Sequence, residues 1–69
     1  MKKEKIKNYR YILNDILQNN VCLGYREKEV LQNVKKITLI MNNKQHEVYK
    51  IENDNNYIEY DKKTKLIVG

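Results

Sequence analysis

The chain has 69 residues, a net charge of +5, an isoelectric point near 9.4, and no Ala, Ser, Pro, Phe or Trp. That length allows one small domain, spanning 1–69, whose core alone supplies only a few kcal/mol of stability. One cysteine (Cys22) and one histidine (His46) exclude an intramolecular disulfide and a four-ligand zinc site, and the lack of serine removes the commonest hydroxyl nucleophile.

Asn, Lys, Ile and Tyr make up more than half of the chain, and Lys outnumbers Arg twelve to two. Codons for these four residues are AT-rich, so the composition points to a low-GC genome. The longest apolar run, Ile37 to Met41 with Thr38 inside it, falls far short of the roughly 20 residues that span a bilayer. The basic N-terminus is not followed by an apolar segment and cleavage site. With a lone cysteine, this predicts a cytoplasmic protein without a membrane partner.

Residues 4–19 read as one amphipathic helix, with residues 1–4 frayed. Ile6, Tyr9, Ile12, Leu13, Ile16 and Leu17 recur at spacings of three and four, and Leu13 and Ile16 fall at the centre of the apolar face. Glu4, Asn8 and Asp15 lie roughly opposite. Lys2, Lys3 and Lys5 oppose the helix dipole, and Asn19-Asn20 is a stop signal. Val21 to Tyr25 alternates and reads as a short strand or extended connector. Residues 27–36 read as a short helix, because Val30, Leu31 and Val34 have helical spacing, acids lead and lysines follow; a polar strand is the other reading.

The second half reads as two hairpins. Ile37–Met41 and His46–Ile51 flank Asn42-Asn43-Lys44-Gln45, and Tyr57–Tyr60 and Lys65–Val68 flank Asp61-Lys62-Lys63-Thr64. The fold class is therefore α+β: an N-terminal helix on an antiparallel meander of about four short strands, with a second short helix at 27–36. Alternation places Ile37, Leu39 and Met41 on one face and Ile40 on the other. If Leu39 and Leu66 face the helix, Ile40 and Ile67 form a second apolar face that needs a cover, either residues 27–36 or a partner chain.

Few residues suggest chemistry. His46 lies after a turn without a nucleophile in prospect, and reads as a surface histidine. Cys22 reads as a small apolar residue. Asn53-Asp54-Asn55-Asn56 lacks the glycine and terminal Glu of a calcium loop and reads as a polar turn. No catalytic residue, metal ligand or cofactor is expected, so the chain is read as a non-enzyme.

Two surfaces remain. Tyr49, Tyr57 and Tyr60, with Ile40 and Ile67, suit a protein interface or a homodimer. Lys3, Lys7 and Arg10 with Tyr11 on the helix, and Lys62, Lys63 and Lys65 at the last turn, suit phosphate contact and base stacking. The leading expectation is a small binding protein that acts on a protein partner, as an inhibitor or adaptor. The alternative is a nucleic-acid-binding regulator with residues 27–36 as recognition helix and 37–51 as wing. In type, a tiny AT-biased chain without catalytic residues resembles small accessory proteins of phages and other mobile elements.

Overall fold

Antiparallel pairing joins five strands in the order in which they occur along the chain. The computed structural model describes the backbone of residues 4–6 and the whole of residues 10–19 and 23–69. The elements are β1 (Glu4–Ile6), α1 (Arg10–Asn19), α2 (Tyr25–Gln32), β2 (Lys36–Asn42), β3 (Glu47–Glu52), β4 (Tyr57–Asp61) and β5 (Leu66–Ile67). The expected α+β class and layout hold, and among the described residues no helix is long and apolar enough to cross a membrane.

The N-terminal reading needs one correction. Residues 4–6 are not the start of the helix but an edge strand, with Glu4 opposite Leu39 and Ile6 opposite Ile37. Over the described residues helix α1 spans Arg10–Asn19, and the Asn19 side chain donates to the Asp15 carbonyl 2.8 Å away, satisfying one of its last acceptors. Lys2, Lys3, Lys7, Asn8, Tyr9, Asn20, Val21 and Cys22 lie outside the described residues. Leu23 and Gly24 have no regular structure, and Tyr25 opens α2 rather than ending a strand. Glu27 stands in the first turn of α2, where a carboxylate complements the helix dipole.

Both helices cover the same sheet face. Ile12 and Ile16 of α1 and Val30 of α2 close over Ile37, Tyr49, Ile51, Ile58 and Tyr60, with Leu13, Leu31, Val34, Leu39 and Ile67 packed around them. Residues 27–36 therefore do not cover the other side of the sheet. Of the expected central pair, Ile16 holds its place and Ile12 takes that of Leu13. Ile12 and Ile16 are fully buried, Leu13 is half-buried and Leu17 is exposed.

Three turns share one device. Asn43 Oδ1 accepts the N–H groups of Gln45 and His46, at 2.9 and 2.8 Å. Asn53 Oδ1 does the same for Asn55 and Asn56, at 2.9 and 2.7 Å. Asp61 Oδ1 repeats it for Lys63 and Thr64, at 3.0 and 3.4 Å. Each Asx side chain thus satisfies the N–H groups two and three residues on, replacing a backbone partner within the turn.

Candidate functional site

The uncovered sheet face follows from strand register. Residues directly opposite one another share a face. Leu39, Tyr49, Tyr60 and Ile67 form one row across the sheet, and that row is buried under the helices. Met41, Val48, Asp61 and Leu66 form the adjacent row on the outer face. The register shifts between Leu39 and Met41, so Ile40 is an extra residue in a β-bulge. The shift returns Met41 to the outer face beside Val48, whereas simple alternation had placed it with Leu39.

The expected interface residues divide accordingly. Tyr60 is fully buried, Tyr49 nearly so, and Ile67 packs on the core. Ile67 turns inward because it stands opposite Tyr60, and Leu66 consequently turns outward; the sequence reading had these two reversed. Ile40 is half-buried and Tyr57 is exposed, beneath the Lys50 ammonium at 4.6 Å from its ring centre. Met41 at 40% and Leu66 at 58% exposure are the outer apolar residues that sequence reasoning missed. The bulge is what hid Met41, since it is invisible in an alternation pattern, whereas Leu66 was hidden because its facing is set by the pairing of its strand with β4. Beyond this apolar end the outer face is charged, with Lys36 3.5 Å from Glu52 and Lys50 opposite Glu59.

Tyr11, from the first of the two basic clusters, meets the second in space. Lys62 places its ammonium 5.3 Å from the centre of the Tyr11 ring, and Lys65 bonds Asp15 at 3.1 Å. The turn after β4 thus lies against the first half of α1. Arg10 is exposed at the start of that helix, next to half-exposed Tyr11. Lys63 donates to the Asn43 carbonyl at 2.6 Å, tying this turn to the one after β2. Lys65 has φ +64°, a left-handed backbone that costs a side-chain-bearing residue about 1 kcal/mol.

Two carboxylates anchor this end. Asp15 accepts the Tyr60 hydroxyl at 2.5 Å. That bond holds its carboxyl below the usual range; partial burial opposes the shift, and Lys65 and Lys62 add to it. Asp61 is 1% exposed yet charged. Burial alone would raise its pKa, but His46 Nδ1 at 2.5 Å and the N–H groups of Glu47, Lys63 and Thr64 together bring it down to about 2. His46 is therefore a half-exposed surface residue whose ring is held by a buried acid. Burial, then the Glu47 carboxylate that accepts its hydroxyl hydrogen bond, push the Tyr49 phenol well above its usual value.

Two clefts lie on the described surface. A polar one of 250 Å³ is lined by Glu29, Asn33, Lys35 and the Asn53–Asn55 turn. A smaller apolar one of 170 Å³ lies between the helices, lined by Leu17, Leu23, Leu31 and the stems of Lys28 and Gln32. Among the described residues, no three His, Cys, Asp or Glu side chains are placed to hold a metal ion. The segment considered as a recognition helix, now α2, buries Val30 and interleaves Arg26 and Lys28 with Glu27 and Glu29. The hairpin considered as a wing, β2–β3, is paired on both sides, by β1 and β4. Comparison with family models, curated proteins and solved structures finds no match to this chain.

Proposed function

We propose that the protein is a small non-enzymatic binding protein that occupies a surface of a protein partner, as an inhibitor or adaptor. The observation that carries this reading is the apolar end of the outer sheet face. Ile40 and Met41 lie there beside buried Val48, Leu66 follows beyond Asp61 in the same row, and both helices are on the opposite face. Apolar patches rimmed by charge are typical of interfaces, and Lys50, Glu59, Lys36 and Glu52 supply such a rim. A second copy of the chain is the other protein that could cover the same row, through a two-fold contact.

The test is a double variant, Met41→Lys with Leu66→Lys. Both side chains are exposed, so the fold should survive with a near-native thermal transition. Association, read by light scattering of the pure protein and by recovery of a stoichiometric partner from the native host, should be lost. Unchanged association in a folded double variant would refute the assignment to this face.

A further inference from the structure

The charge of the described residues is not spread evenly. Around the joined turns, the cations Arg10, Lys44, Lys62, Lys63 and Lys65 stand against Asp15, Glu47 and Asp61. Over the remaining described side chains, five cations balance five carboxylates. All the net positive charge of the described side chains therefore sits at this one end. The described part of helix α1 begins here, at Arg10, and carries no acid in its first turn.

An aromatic ring lies within this field. Tyr11 is half-exposed, with the Lys62 ammonium over its ring, and thus sets an aromatic side chain within phosphate-binding charge. Lys65 occupies a left-handed position that glycine or asparagine would adopt with less strain, and it directs its ammonium to Asp15 in the same cluster.

We propose that this end, which adjoins the outer sheet face at Asp61, binds single-stranded nucleic acid, with Tyr11 stacking on a base and Lys62, Lys63 and Arg10 contacting phosphates. Stacking plus backbone neutralisation is the usual means of sequence-tolerant single-strand binding. Groove readout of a duplex suits the chain less well, because the exposed side of α2 alternates in charge and the protein has only two arginines.

Fluorescence anisotropy of the full chain with a labelled oligothymidylate of about 10 nucleotides, over a series of salt concentrations, tests this. The wild type should bind at low salt. Lys62→Gln and Lys63→Gln should each weaken binding and lower the log–log salt slope by about 0.7. Tyr11→Leu should weaken binding several-fold with the slope unchanged, and Tyr11→Phe should restore it. Lys28→Gln and Lys36→Gln, on other faces, should behave as wild type.

Three results would each overturn the proposal. The first is no binding at low salt. The second is equal losses in the Lys28 and Lys36 variants, which would mean diffuse charge only. The third is an undiminished affinity of Tyr11→Leu together with equal binding of poly-glutamate, which would mean an acidic protein surface is the ligand. None of these readouts depends on Met41 or Leu66, so failure here leaves the outer-face reading to its own test.

Discussion

The Tyr60 hydroxyl donates to the Asp15 carboxylate 2.5 Å away, across 45 positions of sequence, and fastens α1 to the fourth strand. Tyr60 is fully buried, so its ring fills the core while its polar tip finds the one acid that α1 presents. Tyr60→Phe should lose about 1–2 kcal/mol in urea unfolding. In a double-mutant cycle, Asp15→Asn should cost much less in the Tyr60→Phe background than in the wild type. Strictly additive losses would show that the bond contributes nothing to stability.

The response to acid follows from the same pair of anchors. Asp61 titrates near 2 in the folded chain against an ordinary 3.8, and Asp15 is also lowered. A depressed folded value means that the unfolded chain takes up the proton first. The stability from these carboxylates is therefore complete above about 4 and is lost as pH falls toward 2. At the alkaline end the sign reverses. Tyr49 and Tyr60 are raised above 10, so their contribution is complete below pH 10 and declines above it. Thermal melts across pH should show both limbs, and Asp61→Asn should flatten the acid one. An acid limb identical in Asp61→Asn and wild type would contradict this origin.

Core placement gives a sharp contrast within one helix. Ile16 is fully buried, whereas the next residue, Leu17, is 54% exposed beside the apolar cleft. Ile16→Ala should cost about 2–4 kcal/mol, and Leu17→Ala no more than about 0.5 kcal/mol. Equal shifts in melting temperature would mean that α1 is rotated about its axis from the orientation described.

What could be read from the sequence was the local part of this fold. Spacings of three and four found α1 over its described length, and the Asn- and Asp-led loops marked all three turns. The failures were non-local. Ile6 continues the helical spacing of Ile12 and Ile16, and only pairing with β2 makes residues 4–6 a strand. The bulge at Ile40 resets alternation, so a parity carried from Leu39 misassigned Met41. Leu66 and Ile67 were reversed because their facing is set by Tyr60, not by their own pattern. The same holds for the candidate surfaces. Tyr11 and Lys62 each stood out, but nothing local shows that they touch, nor that His46 meets Asp61.

Position-specific cross-linking tests the protein-binding face most directly. A photoreactive side chain is placed in turn at Leu66 on the outer face, at Leu17 in the interhelical cleft, and at Asp54 in the turn after β3, and the full chain is irradiated in native host extract. The expected result is one dominant protein adduct, or a cross-linked dimer, from position 66 alone, abolished by Met41→Lys in the same chain. Adducts from position 17 or 54 with none from position 66 would contradict an outer-face interface.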